Sequence, residues 1–304
     1  MKQKDPATNH QKYLAIFLAA TMFLSVFMMY FYSSKGDNTD VSNPNSELES
    51  NITTLTFSQI PGKHIQHEFN SIADGLNMSP DGVTTARYVD LQKIKGTPLE
   101  SAYGSPELMS SYFSYGSDVT KRYSAIYENG TGFELHQIPE QKINMPIDTR
   151  VFTYDRYQIL YRLNGTNIWN LIGSPVAIGA PQSLMSIVDV LEGNASSSNE
   201  YDQLLSLADS DNPIFQEVET KTNSTTIQAE KYYRDLKKLD DGSYTQECLF
   251  LNPDPEITDK ISSMQANCTE RGVLYNVTNE GNITKLIITA DFQSLNTENN
   301  LLFE

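Results

Sequence analysis

The sequence predicts an α+β protein: one N-terminal transmembrane helix, then an ectodomain of antiparallel sheets with helices on one face. Three observations predict it. Residues 13–32 form an uncharged apolar run. Beyond them, Asn129-Gly130, Asn164-Gly165, Asp241-Gly242 and Glu280-Gly281 each separate strand-like segments, and such dipeptides suit the positive φ of tight hairpin turns. Proline-led segments with apolar residues at helical spacing lie between the hairpins.

In chain order, the run YLAIFLAATMFLSVFMMYFY comes first. At about 1.5 Å per residue it reaches roughly 30 Å, one hydrocarbon core. Tyr13, Tyr30 and Tyr32 mark its ends, where aromatic rings favour the interface. Lys2, Lys4 and Lys12 precede it, which predicts a cytoplasmic N-terminus and an extracytoplasmic C-terminal domain in a single-pass cell-membrane protein. A cleavable signal peptide would have a shorter core and a small-residue site, where this chain has Met28, Met29, Tyr30, Phe31 and Tyr32.

Residues 1–12 thus read as a cytoplasmic tail and 33–57, rich in Ser, Asn, Thr and acids, as a flexible tether. Helix starts follow at Thr97-Pro98-Leu99-Glu100, a capping box, and at Ser105-Pro106. Pro181 opens a segment whose Leu184, Ile187, Val188 and Leu191 share a stripe that Gly193 ends. Asp254-Pro255 opens another, with Ile257, Ile261 and Met264 at helical spacing. The order of strands and helices divides the ectodomain into α+β units at 58–196 and 197–296, with a ferredoxin-like arrangement open for each, and a tail at 297–304.

The stretch IGSPVAIGAPQSLMSIVDVLEGN (172–194), followed by LLSLADSDNPIFQEV (204–218), resembles a family of uncharacterised extracytoplasmic proteins of bacteria and archaea. The segment HEFNSIADGLNMSPDGVTTARYVDL (67–91) is similar to membrane-anchored surface proteins of methanogenic archaea. These motifs are structural, so the resemblance implies location and fold but no activity.

A formal net charge of −16 argues against nucleic-acid binding, because an acidic surface repels phosphate. Phosphate-binding glycine loops and the G-x-S-x-G nucleophile elbow are absent from the sequence. His64 and His67 stand in HIQHE, which lacks the order of the zinc-helix motifs, and a site needs three or four ligands. His136 is isolated in a strand-like run, and Asp240-Asp241 reads as a turn. An apolar face of Leu108, Met109, Tyr112 and Phe113, continued by Tyr115, Tyr123 and Tyr127, reads as core before ligand pocket. No catalytic residue, metal ligand or cofactor site is assigned, and no cofactor is expected.

Nine positions fit N-x-[ST]: Asn51, Asn77, Asn129, Asn164, Asn194, Asn223, Asn267, Asn276 and Asn282. Each serves either a turn or a glycan, and the set favours modification in an extracellular protein. Cys248 and Cys268 allow one disulfide. Their places on a predicted strand and well along the following helix put the Cα atoms beyond the roughly 4.4–6.8 Å a bridge spans, unless the helix ends early. The expected function is a membrane-anchored, non-catalytic interaction or structural module at the cell surface. It would meet the membrane through residues 13–32 and a protein partner outside. The alternatives are an extracytoplasmic hydrolase using carboxylates or a serine without a motif, and a ligand- or cation-binding receptor domain.

Overall fold

A computed structural model describes residues 52–100, 114–162, 168–209, 211–221 and 228–303. In chain order its strands are β1 (Ile52–Thr56), β2 (Ile65–Gln66), β3 (Val83–Asp90), β4 (Lys121–Tyr127), β5 (Gly132–Gln137), β6 (Lys142–Pro146), β7 (Arg150–Tyr154) and β8 (Tyr157–Arg162). There follow β9 (Ile168–Leu171), β10 (Gly173–Ser174), β11 (Val176–Gly179), β12 (Phe215–Thr220), β13 (Ala229–Lys238), β14 (Tyr244–Pro253), β15 (Leu274–Glu280) and β16 (Ile283–Ala290). The helices are α1 (Ile72–Met78), α2 (Pro181–Leu191), α3 (Asp202–Leu205), α4 (Pro255–Ala266) and α5 (Phe292–Phe303).

The turn chemistry acts as the sequence predicts. Asn129-Gly130 joins β4 to β5, Asp241-Gly242 joins β13 to β14, and Glu280-Gly281 joins β15 to β16. The three glycines take φ of 76°, 89° and 62°, a region that costs a Cβ-bearing residue strain. At Thr97-Pro98-Leu99-Glu100 the chain turns, the Glu100 N–H donating to the Thr97 carbonyl at 3.1 Å and its carboxylate accepting the Gly96 N–H at 2.8 Å, while the Asn164-Gly165 turn and the Ser105-Pro106 helix start lie outside the described residues. Pro181 and Pro255 sit in the first turns of α2 and α4, where a missing N–H costs nothing. The predicted stripes face the core: Leu184, Ile187 and Val188 on α2 are buried and Leu191 half-buried, and Ile257, Ile261 and Met264 on α4 are buried.

How these pieces assemble corrects the expected fold class. Among the described residues, twelve strands form one antiparallel sheet in the order β15-β16-β14-β13-β12-β3-β4-β5-β11-β9-β8-β7, so the protein is mostly β. Among the described residues no pair of ferredoxin-like sheets forms. Glu217 of β12 lies opposite Arg87 of β3, and that antiparallel pairing joins the strands of 58–196 to those of 197–296. Strand pairing across the seam satisfies backbone groups that two separate sheets would leave bare at their edges. Residues 297–303, expected as a tail, belong to α5.

Helices also cover both faces rather than one. Tyr88, Tyr123, Leu135, Tyr233 and Leu249 share a core with Ile72 and Leu76 of α1, Leu184 of α2 and Leu204 of α3. Alternate positions, among them Val89, Tyr232, Cys248 and Phe250, pack with Ile257 and Ile261 of α4 and Leu295 and Leu302 of α5. The reason is visible in β14, where Leu249 and Leu251 serve one core and Cys248 and Phe250 the other. A strand apolar on both sides must be covered on both sides.

The expected membrane anchor and single-pass localisation are not supported. No helix among the described residues is long and apolar enough to cross a membrane, and residues 13–32 lie outside them.

Candidate functional site

A polar cavity of about 400 Å³ opens where β3 ends, beside the start of β4 and the chain entering β12. Three turns build it. At the end of β3 the buried Asp90 accepts the backbone N–H groups of Gln92 and Lys93 at 3.1 Å each, which folds the chain back after the strand. That turn sets Lys93 Nζ 3.4 Å from the Asp90 carboxylate and lets it donate to the Pro213 carbonyl at 3.1 Å. Asp74 caps α1 by accepting the N–H groups of Asn70 and Ser71 at 2.6 and 3.0 Å. Lys121, paired in register with Asp90, donates to Asn70 Oδ1 at 2.6 Å. Asn212, at a φ of 57°, turns the third segment so that Asp211 and Pro213 close the cavity.

Tyr88 also lines the cavity. It is fully buried and its ring meets Phe69 edge-on at 5.7 Å. Its hydroxyl has no hydrogen-bond partner among the described residues. Burial, then the charges of Asp90 and Asp74, push its ionisation well above the usual phenol range, so it stays a neutral donor.

A hydrogen-bonded spine runs from this site through the core. The Ile72 N–H donates to Gln216 Oε1 at 2.7 Å, Gln216 Nε2 to the Tyr233 hydroxyl at 2.9 Å, and Tyr233 to Asp235 Oδ2 at 3.2 Å. Burial pushes the Asp235 carboxyl up to about 7, with Lys237 opposing the rise and Glu247 adding to it. Lys237 also pairs with Asp209 at 2.8 Å, and the Asp209 N–H donates to Glu247 Oε2 at 2.9 Å. These bonds pin the segment entering β12 against β13 and β14, and so fix the Asp211–Pro213 wall.

On the opposite face Glu217 and Glu134 are held in ion pairs. Glu217 receives Arg87 and Arg234, the latter at 2.6 Å, and both pairs outweigh the cost of its burial to lower its ionisation. Glu134 accepts from Arg122 and lies 2.8 Å from His136 Nε2, whose Nδ1 is 3.2 Å from the Tyr115 hydroxyl. Burial alone would raise the Glu134 carboxyl, but His136 and Arg122 bring it down to about 2. His136, isolated in the sequence, is thus held on both ring nitrogens. A gap of about 130 Å³ lies under α5, against Phe215, Leu236 and Leu295.

The sequence-selected residues fall elsewhere. His64 and His67 flank β2 on extended backbone, not a helix, and bond the carbonyls of Ile60 and Glu68 at 2.9 and 2.8 Å. Asp241 serves its turn, accepting the Ser243 N–H at 2.9 Å. Tyr115 and Tyr123 are core residues, whereas Leu108, Met109, Tyr112 and Phe113 lie outside the described residues. Asn77, Asn129, Asn194, Asn267, Asn276 and Asn282 are all exposed; Asn51, Asn164 and Asn223 lie outside the described residues. α4 ends at Ala266, before Cys268, and Cys248 is buried; both thiols are free. None of the cavity residues was selected as a site residue in the sequence, since they come from three distant segments. The stretches that carry the family resemblance, 67–91 and 204–218, nonetheless contain Asn70, Ser71, Tyr88, Asp90, Asp211, Asn212 and Pro213.

Residues 68–192 match the family model AF_2048_N, described as a family N-terminal domain. That family is one of uncharacterised proteins. At this level the resemblance read from the sequence holds, while its archaeal and membrane-anchored detail gains nothing from the match. The matched stretch includes Asn70, Ser71, Tyr88, Asp90, Lys93 and Lys121 of the cavity. No curated protein matches the chain. A solved structure titled "Structure of crystal form I of TP0453" is similar at 10% identity and a TM-score of 0.43, over 76% of this chain and 98% of that one.

Proposed function

We propose that the protein is a non-catalytic interaction module that receives an extended segment of a protein partner along the edge strand β7. The observation that carries this is the edge itself. Among the described residues β7 ends the twelve-stranded sheet and pairs with β8 alone. Val151 and Phe152, on opposite sides of the strand, are 56% and 48% exposed, and Ile147 just before it is 85% exposed. An unprotected edge with apolar side chains on both faces offers a partner strand both backbone hydrogen bonds and side-chain contacts. The interior strands β3, β13 and β14, by contrast, bury their large apolar side chains under helices on both faces.

The test places a photo-crosslinking amino acid at Phe152 and, as a control, at Leu274 on the opposite edge, in the native host. The module reading expects an adduct of one defined mass from position 152 only, lost when Val151→Lys is added. No adduct, or the same adducts from both edges, would discard it. So would turnover by the purified chain in a broad hydrolase screen, if one Asp, Glu or Ser substitution abolishes it with the fold intact.

A further inference from the structure

We propose that the cavity between β3, β4 and the segment entering β12 binds a small zwitterion of the α-amino-acid class. Its carboxylate meets Lys93, Lys121 and the Tyr88 hydroxyl, and its ammonium meets Asp211. This goes beyond the edge-strand reading and uses the middle of the sheet, so either can fail alone.

Four features lead to this ligand. The first is Tyr88, which lines the cavity and whose buried hydroxyl has no partner among the described residues; buried polar groups are otherwise satisfied almost everywhere in folded proteins. A ligand atom that accepts its hydrogen completes it. The second is donor capacity. An ammonium carries three donors, and Lys121 donates to Asn70 Oδ1 while Lys93 contacts the Pro213 carbonyl and Asp90. Donors therefore remain on Lys121 for an oxygen placed between the two lysines.

The third is charge balance. Lys93, Lys121, Asp90 and Asp211 all line the same space. A plain anion would be repelled by the carboxylates and a plain cation by the ammoniums, whereas a zwitterion meets both. The carboxylates also differ in availability. Asp90 is taken up by the Gln92 and Lys93 N–H groups and by Lys93 Nζ. Asp211 spends its backbone N–H on Asp209 Oδ1 at 3.3 Å, and among the described residues its carboxylate has no partner, so it is left for the ligand's ammonium. The fourth is size and character. About 400 Å³ lies within the range of small-molecule sites. Among the described residues the only aromatic ring in the lining is Tyr88, which is packed edge-on against Phe69 and leaves little for a sugar to stack on.

The test is calorimetric titration of the full-length protein with each proteinogenic amino acid, alongside acetate, methylamine and glucose. The proposal expects at least one amino acid to bind with a Kd below about 1 mM, and the three controls to bind at least about tenfold more weakly. Tyr88→Phe and Lys121→Met should each weaken that amino acid by about tenfold or more, and Phe152→Lys should leave it unchanged. Tyr88→Phe removes one oxygen and keeps the ring, and a thermal melt confirms that each variant is folded. Absence of binding by every amino acid overturns the proposal. Equal binding of acetate, methylamine or glucose overturns it as well, as does amino-acid binding indifferent to both cavity substitutions.

Discussion

At the scale of single residues, buried polar groups set the sharpest expectations. The Tyr88 hydroxyl has lost its water and gained no partner. Removing it should therefore stabilise the ligand-free protein, and Tyr88→Phe is expected to raise unfolding stability by about 1 kcal/mol in a urea titration. A loss of stability would show that the hydroxyl is satisfied. Asp235 gives a pH signature. Its carboxyl is raised by burial from 3.8 to about 7, so between these values the native state holds a proton that the unfolded state has released. Its contribution thus favours folding below about 4, declines as pH rises through the window, and is flat above about 7. Asp235→Asn removes the penalty. From pH 4 to pH 8, the stability of this variant relative to the parent should rise, by up to about 4 kcal/mol. A difference that stays constant over that range would refute the account.

At the scale of elements, close approach governs which substitutions are tolerated. Gly75 of α1 presses on β4 so tightly that a Cβ would come within 2.3 Å of the Tyr123 ring, which is itself tied to Ser79 by a 2.7 Å hydrogen bond. Gly75→Ala should cost about 1–3 kcal/mol, because the helix or the ring must shift. A neutral or stabilising result, as helix propensity alone would give, would show that α1 can move. Leu184 of α2 is fully buried, and Leu184→Ala should cost about 2–5 kcal/mol as a lower denaturation midpoint at unchanged slope. The element scale is also where the sequence was most legible. α2 and α4 declare themselves by a proline at the start and an apolar stripe, and β4–β5, β13–β14 and β15–β16 by their turns. The signals act within a few residues of each other, so no knowledge of the rest of the fold is needed.

At the scale of the molecule, the β12–β3 seam decides how the chain unfolds. Glu217, bridged to Arg87 on one side and Arg234 on the other, and the facing pair Phe215 and Val89 lie on that seam. Cutting it would turn β3, with Ala86, Tyr88 and Val89 buried, into a bare apolar edge. Residues 52–303 should therefore melt in one calorimetric transition, and residues 52–196 expressed alone should aggregate. Two resolved transitions, or a soluble and cooperatively folded 52–196 fragment, would restore the picture of independent units.

The sequence by itself determined the hairpins at Asn129-Gly130, Asp241-Gly242 and Glu280-Gly281, the two proline-led helices, the turn role of Asp241 and the acidic balance of the chain, because each follows from neighbours or from composition. Only the tertiary structure decided that the hairpins merge into one sheet with helices on both faces. It also gathered Asn70, Tyr88, Lys121 and Asp211 around one cavity and gave the isolated His136 its partners Glu134 and Tyr115. The reason is separation along the chain. Arg87 and Glu217 are 130 residues apart. What pairs them is edge-to-edge strand matching and burial of both sheet faces, which no local pattern of residues encodes.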